Sequence, residues 1–260
     1  MERLDRLKII NRMLLEEMPQ HKKFAAQFTD EILSQRQLFR SLMNVRPAMS
    51  LSKDYIELQD RILSDEQKEQ GVVDVLSLPT TADPNIILWR GDITRLHADA
   101  IVNAANRALL GCFHPCHGCI DNAIHSAAGS QLRAECSKIM DIQGHEEPTG
   151  QAKITAAYNL PSKHVIHTVG PIIAGSLQER DCELLASCYL SCLALAERNK
   201  LNSIAFCCIS TGEYRFPADV AAEIAVNTIK EYLKNSNGEM KVVFNVFKES
   251  DEEIYRNILQ

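Results

Sequence analysis

The residues with the clearest chemical potential lie between positions 111 and 119, where the chain reads Gly111-Cys112-Phe113-His114-Pro115-Cys116-His117-Gly118-Cys119. Thiolate and imidazole are donors that zinc prefers, and this loop offers more of them than one tetrahedral ion uses. The alternative reading is a loop of redox-sensitive thiols, but in a chain with no export signal such a cluster reads first as metal-binding. Cys116-x-x-Cys119 alone is a weak signal, and Ile120 stands where covalent haem attachment would need histidine. A closed structural zinc site usually draws on two separated ligand pairs, and no second cysteine pair follows at a suitable distance. The pattern therefore suits three protein ligands and an open fourth position for water or a substrate oxygen.

Such a loop needs a rigid frame, and the chain is long enough to build one. It has 260 residues, 45% hydrophobic and 24% charged, the composition of an ordinary globular protein. From Ile86 onward short apolar runs alternate with helical stretches, the texture of a sheet covered by helices. Strands are expected at Ile86 to Trp89, Ala100 to Asn103, Lys153 to Tyr158, His164 to Val169, Ser203 to Ile209 and Lys241 to Phe247. Helices are expected around Asp121 to Cys136, Asp181 to Arg198 and Pro217 to Lys234, with a last one after Ser250. The first 70 residues differ. Leu4, Leu7, Ile10 and Leu14, then Phe24 to Leu42, then Leu51, Tyr55, Leu58 and Ile62 recur at helical spacing, so 1–70 reads as a small helical module before an α/β domain at 71–260. Its apolar stripes need a partner, and packing on the α/β domain is the expectation.

A net charge of −6 and pI near 5.8 argue against nucleic acid as partner, since phosphate backbones call for clustered Lys and Arg. The charged, amphipathic start and the lack of a long apolar run argue against membrane insertion and secretion and favour a cytoplasmic protein. Cys182, Cys188, Cys192, Cys207 and Cys208 read as small buried hydrophobes. His125, His145, His164 and His167 have no evident partner, and no role is assigned to them.

The flanks of the cysteine and histidine loop resemble a known family. Gly91-Asp92-Ile93-Thr94, Ala100-Ile101-Val102-Asn103-Ala104-Ala105-Asn106, Ile120 to Gly129 and Ile209 to Pro217 are similar to the ordered signature segments of macrodomains over about residues 72 to 260. The cysteine and histidine loop replaces the usual glycine run and resembles the zinc-containing macrodomains of bacteria and fungi. The resemblance implies a three-layer α/β/α fold with a mixed central sheet. It also implies Zn2+ held by Cys112, His117 and Cys119, with His114 and Cys116 as spare donors, and ADP-ribose as ligand.

Adenine would then fall to Asp92 and Ile93, the diphosphate to the backbone of Ser210, Thr211, Gly212, Glu213 and Tyr214, and the distal ribose to Asn106, Ile120 and Asp121. Each has a plainer reading too: Asp92 and Asp121 suit helix caps, and the Ser210 loop suits a simple connection. Catalysis would rest on Asp121 and Asn106, with Asp121 polarising a water or orienting the sugar. The expected reaction is hydrolysis of mono-ADP-ribose from protein side chains. Ester-linked Asp or Glu is favoured because a carboxylate of pKa about 4 leaves with little acid assistance. Relatives of this subgroup occur beside a sirtuin-like transferase and a lipoyl carrier protein, which makes such a carrier a candidate substrate. The alternatives are an ADP-ribose reader without turnover and a hydrolase of O-acetyl-ADP-ribose or ADP-ribose 1''-phosphate.

Overall fold

The computed structural model describes residues 2–236 and 240–260. In chain order the elements are α1 (Arg3–Glu17), α2 (Lys22–Ala25), α3 (Ile32–Val45), α4 (Lys53–Gln70), β1 (Val73–Asp74), β2 (Ile86–Arg90), β3 (Leu96–His97), β4 (Ala100–Ala104) and α5 (Ile120–Ala128). There follow α6 (Ser130–Gln143), β5 (Ala152–Ala156), β6 (His164–Thr168), α7 (Glu179–Arg198), β7 (Ser203–Phe206), α8 (Ala218–Asn235), β8 (Lys241–Val246) and α9 (Glu249–Leu259).

Six strands form the central sheet in the order β2-β8-β7-β4-β6-β5. All neighbours run parallel except β5, which pairs antiparallel with β6, so the sheet is mixed. Parallel strands are covered on both faces and read as continuous apolar runs, as Ile204 to Phe206 and Val242 to Phe244 do. Helices α7, α8 and α9 pack side by side as one layer, and α5 and α6 pack together as the other. Among the described residues no helix is long and apolar enough to cross a membrane.

The sequence pattern placed one helix across Asp121 to Cys136; the structure divides it into α5 and α6 at Gly129. That residue sits at φ +94, and a Cβ there would stand 2.5 Å from Gln59 Nε2. The paired two-residue strands β1 and β3 carry too few residues for any periodicity to reveal them.

Helices α1, α3 and α4 precede the sheet and α3 packs against α5, but their apolar stripes do not cover the α/β domain. Leu7, Ile10, Leu14, Leu38, Phe39, Leu42, Tyr55 and Ile62 bury one another in a core of their own, separate from the core around the sheet. The seam between the two cores is largely polar. Tyr55 Oη shares a hydrogen with Ser130 Oγ at 2.8 Å, and Gln59 Oε1 accepts from Ser130 N at 2.9 Å. Arg133, 5% exposed, donates to the carbonyls of Met43 and Arg46 at the end of α3. Cys188, Cys192 and Cys207 lie in the sheet core, and Cys182 and Cys208 pack against it, as small hydrophobes do.

Candidate active site

The parallel strands end along one edge of the sheet, where open α/β sheets bind ligands. Asp92 follows β2, the segment Ala105 to Cys119 follows β4, Ser210 to Phe216 follows β7, and Phe247 follows β8. The loop after β4 is pinned at its root. Ala105 N donates to Thr168 O at 2.9 Å, and Asn106 closes the turn by accepting from Ala108 N and donating to Gly111 O.

The loop brings Cys112, His117 and Cys119 together with their ligand atoms all within 4.8 Å of one another. His117 Nδ1 is buried without a partner, while Nε2 lies 3.7 Å from Glu213 Oε1, which leaves Nδ1 as the free donor. A carboxylate on the far side of a histidine is a common support for a metal-bound imidazole. The donor set and the orphaned nitrogen fit a zinc ion. Burial pushes the Cys119 thiol up to about 12, and neighbouring Cys112 and Asp121 add to that, so ionising it calls for a nearby cation. Cys119 Sγ also accepts from Asn122 N at 3.4 Å at the start of α5. His114 and Cys116 stand aside from the three. The His114 ring meets that of His117 edge-on, and Cys116 Sγ lies 3.2 Å from Ser41 Oγ in α3.

Beneath the loop lies Asp121, 5% exposed. Its Oδ1 accepts from Asn103 Nδ2 at 2.8 Å and its Oδ2 from Asn106 Nδ2 at 3.4 Å. Burial lifts this carboxyl to about 6, opposed by the Asn103 bond and by the Arg133 charge. Of the two readings of Asp121, helix capping is not what the geometry gives: Cys119 caps α5, and both oxygens of Asp121 are used by the asparagines.

The reading that His125 and His167 lack partners holds for His125, whose two ring nitrogens are buried without a hydrogen bond, and is corrected for His167. His167 Nδ1 is 3.2 Å from Asn103 Nδ2 and its Nε2 is 3.0 Å from Thr155 Oγ1. Because the Asn103 amide donates, Nδ1 accepts and Nε2 carries the proton. His125 Nε2 lies 3.5 Å from Asp121 Oδ1. Burial depresses both imidazoles, His167 to about 4, so both are neutral. With Cys136 they form a second cluster of possible ligand atoms, but His167 has both nitrogens engaged and the Arg133 charge acts on His125 and Cys136. That arrangement is a hydrogen-bonded support for Asn103 and disfavours a second dication.

Gly111 rests on the His125 ring. It takes φ +80, and a Cβ there would stand 2.9 Å from His125 Cγ. Gly111→Ala combines a left-handed backbone penalty of roughly 1–2 kcal/mol with an overpacking cost of about the same size. A loss of about 2–4 kcal/mol in denaturant unfolding is expected; an unchanged midpoint would mean that the loop root yields.

At the other end Asp92 Oδ1 accepts from Thr94 N at 2.9 Å and Thr94 Oγ1 at 2.7 Å, the turn-capping role foreseen as its plainer reading. Both bonds fall on one oxygen. Ile93 is buried in the core, so its backbone is what it can offer a ligand. Gly91 N donates to Val246 O, which places the strand end before Phe247 beside Gly91-Asp92, and Phe247 is 77% exposed. In sequence Phe247 continues the apolar run of β8, and no local signal sets it apart from the strand that ends at Val246.

The loop after β7 closes on itself, Phe216 N donating to Ser210 O at 3.0 Å and Arg215 N to Gly212 O at 3.0 Å. Ser210 is buried at φ 65, Thr211 and Tyr214 are partly buried, and Gly212 and Glu213 are exposed. Glu213 Oε1 lies 3.7 Å from His117 Nε2, so this loop faces the one after β4, and burial with the charges of Asp121 and Cys119 raises the Tyr214 phenol. Ile120 packs on the sheet core from the start of α5.

A mixed α/β sheet with its loops gathered at the carboxyl ends of the parallel strands over a thiol and imidazole cluster is of the class that takes its ligand at that edge. Comparison with known proteins narrows that class. The family described as Macro domain matches residues 102–225. A protein-ADP-ribose hydrolase of Treponema medium is 53% identical over 95% of this chain and 95% of its own. One from Staphylococcus aureus strain MSSA476 is 52% identical over 85% of this chain and 83% of its own. The structure of the Trypanosoma brucei macrodomain in complex with ADP-ribose superposes with a TM-score of 0.66 at 31% identity, covering 85% of this chain and 95% of that one. This chain belongs to the macrodomain family.

Proposed function

We propose that this protein is a zinc-dependent hydrolase that releases mono-ADP-ribose from modified aspartate or glutamate side chains of proteins. Relatives named protein-ADP-ribose hydrolase over nearly the whole chain support the reaction class. The observation that carries the metal is the convergence of Cys112, His117 and Cys119 beside the buried Asn103, Asn106 and Asp121.

In this reading ADP-ribose lies along the sheet edge. Asp92 Oδ2 accepts the adenine amino group, the Ile93 backbone lies alongside, and Phe247 offers an aromatic face to the base. Backbone N–H groups of Ser210, Thr211, Gly212, Glu213 and Tyr214, just before α8, hold the diphosphate without lysines. Asn106 Oδ1, a carbonyl with a second lone pair beyond the one taken by Ala108 N, accepts from a hydroxyl of the distal ribose. Asp121 fixes the Asn103 and Asn106 amides from below and so orients the sugar, while Ile120 closes the floor. Zinc, when bound by Cys112, His117 and Cys119, would supply Lewis acidity at the distal ribose, moderated by two thiolates. An ester-linked carboxylate leaves without a strong general acid, which suits a site whose carboxyl is buried and hydrogen-bonded. A lipoyl carrier protein modified by a sirtuin-like transferase is the proposed substrate, and a cytoplasmic location, where thiols stay reduced, suits the ligand set.

Zinc analysis beside a release assay on aspartate-linked ADP-ribosyl protein tests the reading. Tight ADP-ribose binding without turnover would make the protein a reader. Turnover of O-acetyl-ADP-ribose or ADP-ribose 1''-phosphate alone would make it a different hydrolase. Asp92→Ala is expected to weaken ADP-ribose binding tenfold or more, a charged hydrogen bond contributing about 1.5–3 kcal/mol. Asp92→Asn keeps an acceptor for Thr94, so weakened binding there too separates the ligand contact from the turn. Calorimetry giving wild-type affinity for both would remove Asp92 from the site.

A further inference from the structure

The turn at the tip of the metal loop is held from outside the sheet domain. Cys116 sits at φ 51, a left-handed conformation that a non-glycine residue keeps only when its surroundings impose it. The imposing groups are on α3. Asn44, 2% exposed, accepts from Cys116 N at 2.8 Å through Oδ1 and donates to Ser126 Oγ on α5 at 2.9 Å through Nδ2. One turn earlier Arg40 Nη2 donates to Asn122 Oδ1 at 2.8 Å and reaches His117 O at 3.4 Å. Asn122 in turn donates to His114 O at 2.9 Å. The start of the loop is tied to the same helix: Arg133 Nε donates to Leu110 O, while its Nη1 donates to the carbonyls of Met43 and Arg46.

From these contacts we infer that the N-terminal helical module is part of the metal site, with Asn44 and Arg40 as positioning residues that set His117 against Cys112 and Cys119. The inference rests on the zinc reading above. It explains why the spare donor Cys116 stays out of the ligand set: its sulfur is turned to Ser41 Oγ and the Gln37 carbonyl. A ligand loop whose geometry is fixed before the ion arrives holds it longer, and loss of such supporting bonds commonly costs about 10–100-fold in metal affinity.

The test compares full-length wild type, Asn44→Ala, Asn44→Asp, Arg40→Met and Asn11→Ala. The last breaks buried bonds from α1 to Gln35 inside the module and leaves the metal loop untouched. Transfer of zinc to a coloured chelator is expected to run about tenfold faster in Asn44→Ala and Arg40→Met. Asn44→Asp keeps the acceptor for Cys116 N and should release zinc near the wild-type rate. Asn11→Ala should lower the melting temperature without hastening release. Amide hydrogen exchange across residues 112–119 in the zinc-free proteins gives a readout independent of metal, and should quicken in Asn44→Ala but not in Asn11→Ala. Arg40 is only partly buried, so Arg40→Met decides the matter if Asn44→Ala does not fold. Wild-type zinc release and exchange in both Asn44→Ala and Arg40→Met, or equal acceleration in Asn11→Ala, would overturn the inference. Should wild type take up no zinc, the metal reading falls, and the exchange comparison still decides whether α3 holds the loop.

Discussion

Cys112→Ala, His117→Ala and Cys119→Ala each lose zinc and more than about 100-fold in hydrolysis, because changes in groups that merely support metal ligands already cost roughly 10–100-fold. The three side chains come from one loop and converge within 4.8 Å, so removing any one leaves two donors, too few to fix a reactive geometry. Cys119 also caps α5, and Cys119→Ser separates the two roles by keeping an acceptor for Asn122 N. Cys116→Ala should be nearly silent, its sulfur facing Ser41. Free ADP-ribose should bind Cys119→Ala with a smaller loss than turnover suffers, since Asp92 and the Ser210 to Tyr214 backbone do not touch the metal. Asp121→Ala should retain zinc and react slowly, with Asn103 and Asn106 released from their shared acceptor. Undiminished zinc by elemental analysis together with full release of ADP-ribose in Cys119→Ala would remove that residue from the ligand set. Full activity after verified zinc removal would end the metal mechanism.

Deleting residues 1–70 is the other large change. It strips the partners from Ser130, Asn122, Ser126, Cys116 N and the Arg133 guanidinium. At about 1 kcal/mol per lost hydrogen bond, with water replacing part of each, the loss is on the order of 3–5 kcal/mol. At roughly 2–4 °C per kcal/mol, that lowers the melting temperature by about 10 °C. The loss comes from polar ties rather than from exposed apolar stripes, because those stripes stay buried within the module's own core. A fragment 71–260 that melts with the full chain would show that the two parts are merely tethered. A soluble, helical fragment 1–70 would be consistent with a self-sufficient core in either case.

Much of this architecture could be read from residue order. The apolar runs at Ile86, Ala100, His164, Ser203 and Lys241 gave the strands because parallel strands bury both faces, and the density of donors from Cys112 to Cys119 marked the loop in which three ligand atoms converge. The resemblance to macrodomains carried the assignment of Asp92, Asn106 and the Ser210 loop. What local pattern could not supply was partnership across distance. His167 meets Asn103 from 64 positions away, and Asn44 meets Cys116 from 72, so neither pair leaves a periodicity. Phe247 was hidden by continuing the hydrophobic pattern of β8 past its last paired residue. The module does pack on the α/β domain, through Arg40, Asn44, Tyr55 and Gln59, but a stripe on each helix says only that burial is needed, not whether the apolar partner is a sister helix or a sheet domain.

Two apolar cores joined through hydrogen-bonded side chains also set how the molecule comes apart. Each core is a candidate cooperative unit, and a seam made of amides, hydroxyls and guanidinium groups is easily rehydrated compared with aliphatic packing. The helical unit can therefore open as a block while the sheet stays folded, at a free energy set by the seam and below that of global unfolding. Calorimetry would register this as a van't Hoff enthalpy smaller than the calorimetric one, a departure from all-or-none melting that a single shared core would not produce.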